Sequence, residues 1–493
     1  MTNTRYIIID KKDEVHLKIE ADADIRREIS EYFTFEVPGF KFMPQFRNRV
    51  WDGKIRLFSY ANGQIYAGLY PYILNWCKEN NVQVVDGTKI KDVVVDDNEV
   101  NRFLKALKIP KIQIRDYQKE AFVHSIKKNR CLLLSPTASG KSLIVYLMLI
   151  YNLLRLKDKK QDKILIIVPT TSLVEQLFKD FKDYGYNSDR NVHRIYQGHD
   201  KDTNKRVIIS TWQSIYNLPK KWFQQFGMVI GDEAHLFKAV SLSKIMNKLE
   251  KCKYRVGLTG TLDGTKTHKL VLEGLFGGVN KVVSTSELQE KKQLADLKIF
   301  CLVLQHDKNA RDFLKDKTYQ EEMDYIVSNE KRNKYIRNLC LSLPGNTLCL
   351  FQYVEKHGML LKQLIEDKAD DKKVFFVYGG VEAEEREKIR FITEKSEGAI
   401  IIASYGTFST GINIRNLHNI VFASPSKSRI RNLQSIGRGL RLKDNNSSAT
   451  LYDISDDLTH NEKENYTLAH FRERINIYNE EDFNYEIHNV ELK

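Results

Sequence analysis

The segment Leu132-Leu133-Leu134-Ser135-Pro136-Thr137-Ala138-Ser139-Gly140-Lys141-Ser142 constrains this chain more than any other. An apolar run ends in a tight turn, which opens into an amphipathic stretch over 142–156, and the order reads as strand, loop and helix start. Backbone N–H groups of such a loop, together with the helix N-terminus, cradle phosphate oxygens. On that reading Thr137, Ala138, Ser139 and Gly140 wrap a nucleotide. Lys141 reaches its β- and γ-phosphates and the Ser142 hydroxyl ligates Mg²⁺. Ser135 stands where the usual pattern has its first glycine, so the motif departs from the strict form at one position. The plain alternative, a Gly-Lys-Ser helix cap, leaves the strand and loop ahead of it without a purpose.

A second apolar run, Met228-Val229-Ile230-Gly231, delivers Asp232-Glu233-Ala234-His235 at its carboxyl end. Ligands of parallel α/β sheets bind at that end of the strands. Asp232 is placed to hold the metal through water, and Glu233 to orient or deprotonate the water that attacks a γ-phosphate. Two adjacent acids are usually a solvated surface; after a buried strand and a phosphate loop the functional reading wins.

The surrounding pattern fits a parallel sheet covered on both faces. Strands expected over 131–134, 164–168, 207–210, 228–232 and 255–259 alternate with helices over 142–156 and 173–184. A second alternating block has strands over 347–351, 374–378, 399–404 and 420–423, with helices from 354 to about 366 and from 382 to about 395. The stretch 264–341 is more charged and reads as a connector with helices. The first hundred or so residues read as a small α+β unit, with strands over 6–10 and 15–19, a helix over 24–33 and short aromatic strands around 51–60 and 64–68. A helical connector is expected over 93–107.

A chain of 493 residues holds three or four domains at roughly 100–200 residues each. Its 78 Lys+Arg against 64 Asp+Glu leave a formal charge of +14, which favours a polyanionic partner, nucleic acid first. The six cysteines are scattered without a CxxC pair and read as reduced core residues, with no zinc site. No run approaches the roughly eighteen apolar residues of a membrane span, and the first residues carry no targeting pattern, so a soluble intracellular protein is expected, with no membrane partner.

With these motifs in place, the chain from about 112 to 442 resembles the superfamily-two helicases. Arg115-Asp116-Tyr117-Gln118 is similar to the family's adenine-sensing element, with Arg115 and Gln118 on the nucleotide. Pro169-Thr170-Thr171 and Ser210-Thr211-Trp212-Gln213 resemble its strand-contacting motifs, which puts Thr171, Thr211 and Trp212 on nucleic acid. Thr259-Gly260-Thr261 resembles the motif that couples hydrolysis to strand movement, with His235, Thr259 and Thr261 as coupling residues. Gly406-Thr407-Phe408-Ser409-Thr410-Gly411-Ile412-Asn413 resembles the motif linking nucleotide and nucleic acid, with Thr407 on the strand and Gly411 and Asn413 on the nucleotide. Gln434-Ser435-Ile436-Gly437-Arg438-Gly439-Leu440-Arg441 resembles the final motif. Gln434, Arg438 and Arg441 share one helix face, and the two arginines can supply the cations that neutralise charge developing on the γ-phosphate.

The resemblance implies an α/β fold of two tandem RecA-like parallel-sheet motor domains, preceded by a small α+β nucleic-acid-binding domain. The expected boundaries are 1–110, 111–282, 283–456 and a helical tail over 457–493. ATP and Mg²⁺ are the expected cofactors.

In the leading unit, Phe40-Lys41-Phe42-Met43-Pro44-Gln45-Phe46-Arg47-Asn48-Arg49-Val50-Trp51-Asp52-Gly53-Lys54-Ile55-Arg56-Leu57-Phe58 interleaves cations with aromatics. Arg47, Arg49, Lys54 and Arg56 are candidate DNA contacts. The aromatics are expected to form the unit's own core, with Lys and Arg snorkelling from it. This prefix ahead of the helicase motifs resembles the UvsW family of recombination helicases of T-even phages. That family implies an ATP-dependent helicase acting on branched DNA, meaning Holliday junctions, stalled forks and R-loops, in recombination, repair and replication. It also implies 3′-to-5′ movement, strand annealing and a location in the host cytoplasm. Single-stranded or duplex DNA, RNA–DNA hybrids and a single-strand-binding or small accessory protein are the expected partners of a monomer. A duplex translocase without strand separation and an RNA-directed helicase are the alternatives. A non-catalytic scaffold is disfavoured by the intact Lys141, Asp232, Glu233, Arg438 and Arg441, and a restriction-enzyme motor subunit by the want of a nuclease module.

Overall fold

The computed structural model describes residues 5–492 except 111, 138, 157–159, 239, 293, 412–413, 415, 427, 429–435, 437–447 and 462. Ala138, Asn413, Gln434, Arg438 and Arg441 therefore lie outside the described residues. The chain divides into two compact units, Met1–Ser135 with Gly140–Val282, and Pro136–Ser139 with Val283–Lys493.

The first unit contains two sheets built on different patterns. Its larger sheet has seven parallel strands in the order Val192–Ile195, Val207–Thr211, Lys163–Val168, Phe226–Gly231, Tyr254–Thr259, Arg130–Leu134 and Val279–Lys281. The inner strands, such as Lys163–Val168 and Val207–Thr211, are near-continuous apolar runs because both faces are covered. Two apolar clusters fill the faces, one around Ile144, Leu147, Ile166 and Ile230, the other around Leu165, Val229, Phe237 and Phe276. Arg130–Leu134 and Lys163–Val168 follow one another in the chain yet lie apart in the sheet, with two later strands between them. The loop after Arg130–Leu134 thus opens at a crossover point on the carboxyl edge, where ligands of such sheets bind.

The smaller sheet is mostly antiparallel: Phe58–Ser59, Gln64–Tyr66, His16–Glu20, Tyr6–Lys11 and Gln83–Asp86 in spatial order. Strands Tyr6–Lys11 and His16–Glu20 alternate buried and open positions, as expected for a sheet with one covered face. Helices Ala23–Tyr32 and Tyr70–Glu79 contribute Ile25, Ile29, Ile73 and Trp76 to its core. A two-stranded ribbon, Thr34–Glu36 with Lys54–Arg56, carries residues 37–53 away from this core. Here the expectation of an aromatic core holds for Phe58 and fails for the other aromatics of the 40–58 stretch. Phe42 is 76% exposed, and Phe40, Phe46 and Trp51 are only half-buried. Phe40 and Phe46 meet edge to face at 4.7 Å and pack locally, whereas the core is filled by Phe33, Phe58 and Trp76.

The second unit is another seven-stranded parallel sheet, ordered Val374–Val377, Ile400–Ser404, Thr347–Phe351, Asn419–Phe422, Ser448–Asp457, Asp296–Gln305 and Tyr485–Glu491. Two of these strands depart from the expectations. Asp296–Gln305 lies inside the stretch read as connector and helices, and the region read as a helical tail holds helix Tyr466–Glu480 followed by strand Tyr485–Glu491. Both strands begin with alternating polar and apolar residues flanked by charge, a pattern that also suits helix and loop surfaces. All six cysteines are buried and free. Among the described residues no helix is long and apolar enough to cross a membrane.

Candidate nucleotide site and nucleic-acid surface

The phosphate-loop residues sit where strand Arg130–Leu134 ends and helix Lys141–Arg155 begins. Ser135 is fully buried, and its N–H donates to the Thr259 carbonyl at 2.8 Å, which ties the loop to the neighbouring strand. Within the loop, both the N–H and the hydroxyl of Ser139 donate to the Pro136 carbonyl, at 3.3 and 2.6 Å. Gly140 caps the helix at φ +79°, and a Cβ there would lie 2.3 Å from Gln118 Nε2. Glycine is thus required twice over, by backbone and by space. Gln118 is itself buried and accepts from the Arg115 N–H at 3.0 Å, so helix Asp116–Lys128 is pinned beside the loop.

Lys141 Nζ donates to the Ser135 carbonyl at 3.1 Å, and Ser142 Oγ lies 2.8 Å from Tyr184 Oη. Burial pushes the Tyr184 phenol up to about 12, so it is a neutral partner that can accept from Ser142 and leave the serine lone pairs for a cation. Asp232 directly follows strand Phe226–Gly231, its N–H donating to the Ile167 carbonyl at 3.0 Å. Burial and then the Glu233 charge raise its carboxyl to about 6, against the pull of Lys141. Glu233 adopts φ +49°, a backbone region that favours glycine. Its buried Oε2 accepts no hydrogen bond among the described residues and lies 3.3 Å from His235 Nδ1. An unsatisfied buried carboxylate oxygen is costly in an ordinary core and marks a place for a water or ligand.

The two acids and the Thr-Gly-Thr segment form one network. His235 Nδ1 lies 3.0 Å from Thr259 Oγ1, which donates onward to the Thr261 carbonyl at 2.9 Å. Lys141, Ser142, Asp232, Glu233, His235, Thr259 and Thr261 are therefore gathered at the carboxyl edge of a single sheet. Ser142 and Asp232 supply hard oxygens, and the raised Asp232 carboxyl is a group a divalent cation would return to its ionised form. Such a pair fits Mg²⁺, which keeps waters and substrate phosphates as its other ligands. Among the described residues no cluster of three or more His, Cys, Asp or Glu could hold a metal.

The nucleic-acid candidates differ in access. Thr171 begins helix Thr171–Asp183 and is exposed. Thr211 ends its strand almost buried, with Oγ1 bonded to Ser214 Oγ at 2.9 Å, and Trp212 packs half-buried on the core. In the second unit Thr407 is also nearly buried, its hydroxyl accepting from Ser404 Oγ at 2.8 Å, on helix Tyr405–Gly411. Thr211 and Thr407 thus offer backbone and shape rather than free hydroxyls. On the ribbon Arg47, Arg49, Lys54 and Arg56 are all exposed, and only Arg56 among these four is paired to a carboxylate, that of Asp52. Sequence reasoning missed Tyr184, and it missed Asp263 and His268, which join this network from the chain beyond Thr261. A Tyr forty residues downstream carries no local signal; Asp263-Gly264-Thr265 is a readable helix start.

Residues 7–86 match the family described as DNA helicase UvsW, N-terminal. Residues 111–264 match the Type III restriction enzyme res subunit and 330–443 the helicase conserved C-terminal domain. The chain is 36% identical to the ATP-dependent DNA helicase UvsW of Enterobacteria phage T4, over 97% of this chain and 98% of that one. It belongs to the UvsW family of ATP-dependent DNA helicases. The crystal structure of T4 UvsW is similar, covering 99% of this chain and 100% of its own at a TM-score of 0.52 and 34% identity. A more distant relative is the DNA 3′-5′ translocase XPB2 of Sulfurisphaera tokodaii, 23% identical over 78% of this chain and 93% of its own. As a member of the UvsW family, this chain is an enzyme that uses ATP to drive its work on DNA, with tandem RecA-like motor domains behind a small α+β domain.

Proposed function

We propose that this helicase unwinds or branch-migrates branched DNA, namely Holliday junctions, stalled forks and R-loops, with the nucleotide held at the Ser135–Ser142 loop. The observation that carries the reading is the gathering of Lys141, Ser142, Asp232 and Glu233 at one sheet edge, with a buried Glu233 oxygen that faces His235 and accepts no hydrogen bond among the described residues. The 137–142 segment wraps the phosphates, Lys141 carries the charge of the β- and γ-phosphates, and Arg115 and Gln118 face the base. Ser142 and Asp232 would hold Mg²⁺, which would supply positive charge to the phosphates. Glu233 orients the attacking water and takes its proton. Arg438 and Arg441 neutralise charge developing on the γ-phosphate, with Gln434 on the same helix face, and Gly411 and Asn413 are further nucleotide contacts.

Thr171 and the backbone around Thr211, Trp212 and Thr407 grip phosphates and sugars, so movement is largely blind to sequence. The ribbon cations Arg47, Arg49 and Lys54 hold DNA phosphates beside the motor. His235, Thr259 and Thr261 transmit hydrolysis to the strand. Lys141→Ala tests the site: ATP turnover should fall at least 100-fold while DNA binding in a mobility-shift assay stays within about twofold. Unchanged turnover would refute the phosphate-loop assignment.

A further inference from the structure

Helix Lys266–Phe276 lies outside every motif named above, yet it touches both the acid box and the amino-terminal module. At its start, Asp263 Oδ1 accepts from the N–H and hydroxyl of Thr265 at 3.0 and 2.8 Å, and Thr265 caps the helix by accepting from the His268 N–H at 3.3 Å. His268 is buried, with Nδ1 lying 2.7 Å from Asp263 Oδ2 and Nε2 donating to the His235 carbonyl at 2.9 Å. Burial alone would raise the Asp263 carboxyl, and the bonds from His268 and Thr265 more than offset it and hold it well below the usual range. The backbone of the acid box is thus fastened to this helix through His268, whose ring stands against the Asp263 carboxylate.

The far side of the helix belongs to the small module. Leu270 is buried in the module's core, while Leu272, Leu275 and Phe276 are buried in the motor's. Tyr72 donates its hydroxyl to Glu273 Oε2 at 2.7 Å, and Glu273 Oε1 accepts from the Val279 N–H at 3.0 Å. A Cβ on Gly68 would lie 1.9 Å from the Glu273 carbonyl, so the module's backbone rests directly on the helix. Lys266 Nζ lies 5.5 Å from the ring centre of Phe35, on the ribbon strand Thr34–Glu36. One short rigid element therefore shares its packing between the residues that handle the γ-phosphate and the module that bears the ribbon cations.

We propose that helix Lys266–Phe276 is the relay by which DNA held on the amino-terminal module accelerates ATP turnover, with His268 and Asp263 as positioning residues for His235. This rests on the reading of the module as a DNA-binding surface. Packed elements of this kind transmit small shifts because the core between them does not deform continuously. Tyr72 reaches the helix through Glu273 and His268 reaches the acid box through the His235 carbonyl, so the two variants cut the path at its two ends.

The test measures ATP turnover of the full chain without DNA and with saturating four-way junction, together with junction affinity. Tyr72→Phe should keep basal turnover and junction affinity within about twofold and lose about fivefold or more of the DNA stimulation, and His268→Ala should lose a similar factor of the stimulation with junction affinity within about twofold. The double variant should be no worse than the more impaired single one, since both break one path. His268→Gln, which restores a donor near the Nε2 position, should recover most of the stimulation. Full stimulation in both single variants, or multiplying losses in the double variant, would overturn the relay. If His268→Ala melts below the assay temperature, Tyr72→Phe with Glu273→Gln forms the same cycle from the module side. Absence of any DNA stimulation in the unaltered protein would instead refute the functional reading on which the relay rests.

Discussion

Asp232 is the residue at which electrostatics and chemistry are most directly opposed. Its carboxyl is raised to about 6 by burial and by Glu233, above the roughly 3.9 of an unfolded chain. A raised acid costs stability once it is ionised: the cost is absent below about pH 4, grows as pH rises through 6, and is fully present at neutrality. Asp232→Asn removes it, so this variant should be about 2 kcal/mol more stable at pH 7.5 by chemical denaturation while turning over no ATP. Equal or lower stability at pH 7.5 would contradict this electrostatic picture. On the proposed role of Asp232, Mg²⁺ would bind the ionised form, so the opposite dependence would govern activity. The Mg²⁺ concentration for half-maximal turnover should rise as pH falls through about 6 and become flat above about 7. A flat profile from pH 5 to 8 would remove Asp232 from the metal site.

At the scale of elements, buried Arg255 on strand Tyr254–Thr259 shows how the first motor sheet is locked to its helices. Its guanidinium donates to the carbonyls of Met246, Leu249, Cys252 and Leu275, closing the carboxyl ends of two helices at once. Arg255→Met leaves those carbonyls without their donor and should cost about 3 kcal/mol or more, read as a lower denaturation midpoint. Elements such as Thr347–Phe351 and Lys163–Val168 were legible because buried parallel strands write themselves as unbroken apolar runs. Asp296–Gln305 was not, since its first half alternates and sits in charged surroundings. The ribbon misled for a related reason: Phe42 and Trp51 look like core in a one-dimensional pattern, and only the tertiary fold reveals that Phe33, Phe58 and Trp76 already fill it. The motif residues at strand ends were readable, while Tyr184 and His268 reach the site from distant positions that no local spacing marks.

For the whole molecule, the formal charge of +14 matters less than where cations stand free. Arg47, Arg49 and Lys54 project from a ribbon that adds little to the core, whereas Arg255, Arg332 and Arg474 are buried and spent on carbonyls and carboxylates. Neutralising Arg47, Arg49, Lys54 and Arg56 together should weaken junction binding and reduce the slope of log affinity against log salt by about three, because Arg56 is already paired with Asp52. An unchanged slope would make the ribbon a structural or protein-binding feature. The central claim is that ATP hydrolysis here serves branched DNA. It is tested most directly by steady-state ATP turnover without nucleic acid and then with single strands, linear duplex, a four-way junction, an R-loop and RNA at matched nucleotide concentration. The junction and the R-loop should stimulate turnover most, about tenfold or more over basal, and Lys141→Ala should be silent throughout. Stimulation by RNA alone, or none by any substrate, would contradict it.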